Sequence, residues 1–190
     1  FAEIGAAGDN RHLKAFLGRL QREFAEHANL ELRARRLVEM AATALQAHDE
    51  PRVIELSEAG ARVSDRAVWH RRVGESRLRQ GQPAEAAAAF GRAAALADGT
   101  PADAAQAALS LEASGSMRQA YDAWRPVDPT VWRSRREWAA SRMRTIAAIE
   151  SPLPAARAVA EYRSLFPDDE QATSLLIDLY SRAGKPALAL

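Results

Sequence analysis

Sliding the 190-residue chain along itself by 34 positions lays Gly81 on Gly115, Ala86 on Ala120 and Phe90 on Trp124. A period of this size marks a repeat architecture, in which one small unit recurs and buries its apolar face against the next copy. The first copy reads RQGQPAEAAAAFGRAAAL over residues 79–96. Gly-Gln-Pro punctuates, and alanines then surround a single phenylalanine. Alanine is the best helix former but contributes little apolar area. A buried face made of it belongs to a helix lying very close to its neighbours, with Phe90 filling the space between them.

The rest of the pattern is helical. Leu13, Phe16, Leu17, Leu20 and Phe24 recur at steps of three and four, as do Leu30, Leu37, Val38, Ala41, Ala44 and Leu45, which lines one helix face in each segment. No sustained alternation or Asn-Gly or Asp-Gly turn signals a strand. Helix ends are written clearly. Thr100-Pro101-Ala102-Asp103 offers a capping box with proline in the first turn, and Asp128-Pro129 opens a segment in the same way. Gly81, Gly115 and Gly184 stand where a helix ends in a left-handed residue. Pro167 closes a helix, and Asp168-Asp169-Glu170 puts negative charge at the start of the next. These signals predict helices over residues 1–6, 10–27, 30–47, 50–62, 65–79, 83–97, 101–113, 117–125, 129–149, 153–165 and 170–183. The turn at His48-Asp49 has no glycine.

Hydrophobic residues at 47% and charged residues at 27% fit a folded chain rather than a disordered one. A net charge of +1 gives no overall field toward nucleic acid or membrane. Without cysteine there is no disulfide or thiolate chemistry, and no apolar run approaches the ~20 residues of a membrane helix.

Helix-turn-helix units of this length, with Gly74, Gly81 and Ala86-x-x-x-Phe90 in one copy and Ala108, Leu111, Gly115 and Ala120-x-x-x-Trp124 in the next, resemble tetratricopeptide repeats. The tail adds Ile177, Tyr180 and Gly184, then Lys185-Pro186-Ala187 in echo of Gln82-Pro83-Ala84; the head adds Gly8 and Leu13-x-x-x-Leu17. The resemblance implies an all-α solenoid of antiparallel helix hairpins with right-handed superhelical stacking. Another helical-hairpin solenoid and a plain helical bundle are the alternatives. Approximate units are 1–28, 29–63, 64–99, 100–127, 128–167 and 168–190 of one array, expected to be a slice of a longer protein whose cut faces self-associate. In this family ligands lie along the groove lined by the first helix of each unit. Carried over by position, that face holds Arg36, Glu39, Thr43 and Gln46, then Arg71, Glu75, Leu78 and Arg79, then Ala105, Leu109 and Glu112. The family's asparagine and lysine clamp for peptide carboxylates is missing here.

Nothing in the sequence assembles a catalytic or cofactor site. His12, His27, His48 and His70 share no helix turn as metal ligands would. Gly5-Ala-Ala-Gly8 lacks the lysine and strand of a phosphate loop, and Ser110, Ser114 and Ser116 have no nucleophile context. Trp69, Trp124, Trp132 and Trp138 read as core rather than as base-stacking platforms.

Of the 26 basic residues only Lys14 and Lys185 are lysine. Arginines 62, 66, 71, 72, 77 and 79 face only Asp65 and Glu75 in their stretch, and 133, 135, 136, 142 and 144 face only Glu137. A solvated helix face with Arg71, Glu75 and Arg79 paired along one helix accounts for the first cluster. The functional reading is an acidic protein segment or an anionic polysaccharide as partner, with nucleic acid disfavoured. On that reading, reversing the charge of Arg71 and Arg79 weakens the partner and leaves helix content unchanged.

The expected role is a non-enzymatic scaffold for protein partners. The Ala/Arg-rich texture resembles the periplasmic repeat regions of bacterial exopolysaccharide exporters of the Pel or cellulose kind, which would hold a periplasmic enzyme at an outer-membrane pore. A general assembly or chaperone-like scaffold in cytoplasm or envelope, and a helical spacer of an enzyme whose active site lies elsewhere, are the other readings.

Overall fold

Where each helix stops decides where the chain can fold back. The computed structural model describes the backbone of residues 4–188 and the side chains of residues 19, 21–23 and 25–188. Every regular element among them is helical. The apolar stripe Leu13 to Phe24 and the Gly8 unit fall outside the described side chains. The chain divides into two compact units, residues 1–65 and 66–190.

In the first unit α1 runs from Ile4 to Gln46 without interruption, and α2 from Glu50 to Val63. The breaks predicted at 7–9 and at 28–29 are absent. Neither place has a proline, Ala28 is the best of helix formers, and a lone Asn29 costs only a few tenths of a kcal/mol. Between α1 and α2 the chain turns at His48, which adopts φ 56°. Asp49 then caps α2, its Oδ1 accepting from the Arg52 amide at 3.1 Å. Leu37, Ala41 and Ala44 of α1 pack on Val53 and Leu56 of α2.

The second unit holds α3 (Ala67–Arg79), α4 (Pro83–Ala95), α5 (Pro101–Ala113), α6 (Met117–Trp124), α7 (Pro129–Arg133), α8 (Arg136–Ile149), α9 (Pro152–Leu165) and α10 (Glu170–Arg182), then a short 3-10 turn at Pro186–Leu188. Consecutive helices pack against one another, except that α6 is followed in the stack by α8, with the five-residue α7 tucked against α5 and α8. Gly81, Gly115 and Gly184 have φ of 71°, 80° and 68°, as their place after a helix predicts. His48 precedes Gly81 by 33 residues and takes the same left-handed turn without glycine's freedom. A non-glycine residue there costs about 1–2 kcal/mol, offset in part by glycine's greater freedom when unfolded. The exposed His48 is therefore a place to gain stability. His48→Gly is expected to raise the melting temperature by a degree or a few, an increment of at most about 1 kcal/mol; a drop would mean that the imidazole makes a contact of its own.

The predicted helix over 129–149 is interrupted. Ser134 donates both its amide, at 3.2 Å, and its hydroxyl, at 2.6 Å, to the Val131 carbonyl. That closes the turn, and Arg135 continues in extended backbone at φ −136°, ψ 126° before α8 begins. A side chain that bonds its own preceding carbonyl competes with helix continuation.

The close packing implied by the alanine run is realised. Ala86, Ala93, Ala105, Ala108, Ala120, Ala155 and Ala156 have no accessible surface. Phe90 lies so close on Gly74 that a β-carbon there would come within 2.8–2.9 Å of three ring atoms. From α5 to α10 one apolar core is continuous through Trp124, Trp132, Trp138, Met143, Val159, Tyr162 and Leu176. Trp69, Trp124, Trp132 and Trp138 are each 2–3% exposed, so the tryptophans are core residues and offer no stacking platform.

Candidate functional site

The first helices of successive hairpins, α3, α5 and α8, line a groove in the second unit. It consists of two adjoining cavities that share Leu78, of about 260 and 610 Å³. The smaller holds Arg71 and Glu75 of α3, Gln106 of α5 and Trp138 of α8; the larger adds Leu109, Glu112, Met117 and Arg144. Five of the residues assigned to the inner face, Arg71, Glu75, Leu78, Leu109 and Glu112, thus line these cavities. Leu78, which is 37% exposed, is an uncovered apolar side chain at its centre. Arg79 is not on the lining; it is exposed and donates to Ser76 Oγ at 3.2 Å. Arg36 and Glu39 are exposed on α1 in the other unit.

Most charges in this groove are paired. Arg71 grips Asp103 with one edge of its guanidinium, donating from Nε to Oδ1 at 2.6 Å and from Nη2 to Oδ2 at 2.7 Å. Asp103 also accepts the Thr100 amide and hydroxyl at 2.8 Å each. One carboxylate therefore completes the capping box that opens α5 and ties α3 to the next hairpin. Burial by itself would raise the Asp103 carboxyl, but the bonds from Arg71 and Thr100 outweigh it and hold the group below its ordinary range. Their shared bond raises the Arg71 guanidinium in turn. Arg144 grips Glu112 in the same forked way at 2.5 and 3.0 Å, a bond that raises Arg144.

These clasps share a spacing. Arg66 and Asp98, Arg71 and Asp103, Arg136 and Asp168, and Glu112 and Arg144 are each 32 residues apart. That is two residues less than the apolar repeat, or about 3 Å of helix rise, a distance that a long arginine spans by leaning toward the neighbouring hairpin. Other cluster arginines are also engaged. Arg72 lies over Trp69 and Arg135 over Trp138 at 5.6 and 4.5 Å. Arg77 donates to Gln82 at 2.6 Å, and Arg133 and Arg142 share Glu161. Contrary to the pairing expected along α3, Arg71 bonds across to Asp103 instead of to Glu75. Six of the eleven clustered arginines, Arg66, Arg71, Arg133, Arg136, Arg142 and Arg144, are therefore ion-pair cross-links between helices. Asp168-Asp169-Glu170 likewise does more than cap: Asp169 accepts from the Ala172 amide at 3.0 Å, while Asp168 takes Arg136 at 2.8 Å.

Asp103, Arg144, Gln106, Arg135 and Trp138 also line the groove, and repeat matching did not reveal them. A search for opposite charges at a 32-residue offset would have found the two clasps. The buried Trp138 Nε1 has no hydrogen-bond partner, whereas Trp124 Nε1 donates to Ser141 Oγ at 3.1 Å. No group of three or more metal-ligating side chains occurs among the described residues, and no described helix is long and apolar enough to cross a membrane.

No family profile and no curated protein matches this sequence. Solved structures do match in fold. A crystal structure of MamA aligns with a TM-score of 0.68 at 12% identity, covering 83% of this chain and 86% of that one. Residues 41 to the end of MamA from Desulfovibrio magneticus RS-1 give 0.66 at 12% identity, over 83% and 89%. PilF of Pseudomonas aeruginosa gives 0.54 at 12% identity, over 85% and 73%. The likeness is one of fold: the chain is an all-α, tetratricopeptide-like solenoid of antiparallel helix hairpins.

Proposed function

We propose that the protein is a non-enzymatic interaction scaffold whose working surface is the groove between α3, α5 and α8. The observation that carries this reading is the uncovered Leu78 at the junction of two cavities, with Leu109 and Met117 beside it. Supporting it, solved structures of similar fold are tetratricopeptide-like helical proteins. The groove's strongest cations, Arg71 and Arg144, are held by Asp103 and Glu112. Among the described residues, Arg135 is the one groove arginine without a carboxylate partner, and Glu75 and Glu137 add negative charge to the wall. The favoured occupant is a protein segment that presents an aliphatic side chain to Leu78 and draws little on net charge. Apolar contact of this kind resists salt, unlike an exposed ion pair.

The finer role, holding a periplasmic enzyme beside an exopolysaccharide pore, belongs to the same proposal; its support is the Ala/Arg texture alone. Ion-pair cross-links between helices give six of the eleven clustered arginines a structural use, which weakens texture as a pointer to compartment or cargo.

Photo-crosslinking tests the groove. A photoreactive phenylalanine at Leu78 or Leu109 is expected to trap the same protein from a native extract, while one at the exposed Arg92 of α4 traps none of it. Leu78→Asp should abolish capture and leave helix content unchanged, since exposed substitutions shift stability by under about 0.5 kcal/mol. Equal capture from Arg92, or capture that survives Leu78→Asp, would move the binding surface elsewhere.

A further inference from the structure

A second pocket, of about 440 Å³, lies between α6, α8 and α9, away from the groove and lined by none of the same residues. Arginines from all three helices border it: Arg125 at the end of α6, Arg142 in the middle of α8 and Arg157 in α9. Its walls also carry the apolar Ile146, Pro154 and Ala158. The volume is within the roughly 300–1,000 Å³ typical of small-molecule sites.

What sets this pocket apart is the charge left over. Elsewhere in the unit the arginines that reach between hairpins close on a carboxylate of their own, as Arg71 does on Asp103 and Arg144 on Glu112. Here two carboxylates border the pocket against three arginines, and Glu161 is also drawn on by Arg133, so the arginines outnumber the carboxylates by two. Glu150 accepts the Tyr121 hydroxyl. Glu161 is shared by Arg133 and Arg142, and its contact to Arg142 is long, at 3.4 Å. Arg125 and Arg157 have no acidic partner among the described residues. The Arg142 side chain is only 26% exposed; burial outweighs Glu161 and pulls its guanidinium below the ordinary value, with Arg133 adding repulsion. A partly buried cation that shares its carboxylate, in one pocket with two cations that have no ion pair among the described residues, is a place for an anion to be bound.

We propose that this pocket is a binding site for a small polyanion carrying at least two phosphate or carboxylate groups. Guanidinium groups match both in forked, charge-assisted hydrogen bonds, and three of them from three helices define a site that a monoanion cannot fill. The apolar wall of Ile146, Pro154 and Ala158 accommodates the uncharged body of such a molecule. The site is independent of the groove, so its failure would leave the scaffold reading untouched.

Calorimetric titration of the 190-residue chain at low salt with pyrophosphate, citrate and acetate tests it. One equivalent of pyrophosphate or citrate is expected to bind with a Kd of about 1 mM or tighter, and acetate far more weakly. Preference between the first two tells phosphate from carboxylate. Arg125→Gln and Arg157→Gln change exposed side chains, and each should weaken binding by about tenfold without altering the thermal melt. Arg142→Lys keeps the charge but loses the fork and should weaken it too. Arg182→Gln, on α10 and paired with Asp178, and Arg92→Gln are the controls and should bind as the parent does. No binding of either polyanion, more than one equivalent per chain, or equal losses in the controls would each overturn the site in favour of diffuse charge. Binding of poly-glutamate but of neither small polyanion would overturn it in favour of an acidic protein surface.

Discussion

Asp103→Ala is expected to lower stability by about 3–5 kcal/mol, the range for removing one partner of a buried ion pair. Three losses coincide. The side chain is 2% exposed and holds the Arg71 fork, so its removal strands a guanidinium that is itself two-thirds covered. It completes the capping box of α5, worth about 1 kcal/mol. It also ties α3 to the next hairpin, and in a stacked array such contacts between units contribute much of the stability. Asp103→Asn keeps the shape and should cost less, which separates the charge from the packing. The pH dependence has a definite sign. The folded carboxyl lies below its ordinary value of 3.8, so the folded state binds fewer protons than the unfolded one near that pH. The contribution is fully present above the unfolded value and is lost as pH falls through the lower, folded one. Acid melts of the parent should lose stability below about pH 4, and Asp103→Asn should flatten part of that slope. An unchanged acid slope would mean that Asp103 is not the group responsible. Arg71→Glu sets a second carboxylate against Asp103, so it should destabilise the fold. The charge reversal that the sequence suggested as a clean probe of binding is therefore not one.

Phe90→Ala and Trp124→Ala should each cost about 3–5 kcal/mol if their sites cannot collapse. Both side chains are 2% exposed, and they stand 34 residues apart in equivalent hairpins. Phe90 lies directly on Gly74, so its loss leaves a void floored by backbone that cannot move in to fill it. Trp124 adds a buried hydrogen bond to Ser141 Oγ. Its truncation also leaves that hydroxyl without its donor, at a further cost of about 1–3 kcal/mol. Urea unfolding followed by helix signal gives the two values, with the m-value reporting whether the hairpins still unfold together. Gly74→Ala approaches the same contact from the other side. The new methyl must displace the Phe90 ring, and overpacking of this sort costs about 1–3 kcal/mol. If both truncations cost less than about 1 kcal/mol, the helices close over the gap, and close packing at these positions is not what holds the hairpins.

The sequence by itself determined the parts of this fold whose causes are local or periodic. Thr100 to Asp103 start a helix through their own backbone bonds. Gly81, Gly115 and Gly184 end helices because a left-handed residue is needed within one turn. Alanines around Phe90 and Trp124 announce close helix packing because small size is a property of the residue. Where a local signal was weak the reading failed. Ala28-Asn29 carries no breaker and α1 runs through it, whereas the break at Ser134 depends on a hydroxyl reaching the Val131 carbonyl. The groove was legible in half: the repeat phase put Arg71, Glu75, Leu78, Leu109 and Glu112 on one face, and all five line the two cavities. What those side chains do was decided by tertiary structure. Arg71 looks like a free cation beside Glu75 until α5 brings Asp103 within 2.6 Å of it. Arg125, Arg142 and Arg157 look like scattered surface charge until three helices set them around one pocket. A side chain's charge is written in the sequence, but whether that charge is neutralised depends on what lies within about 4 Å, and across helices the fold alone sets that distance.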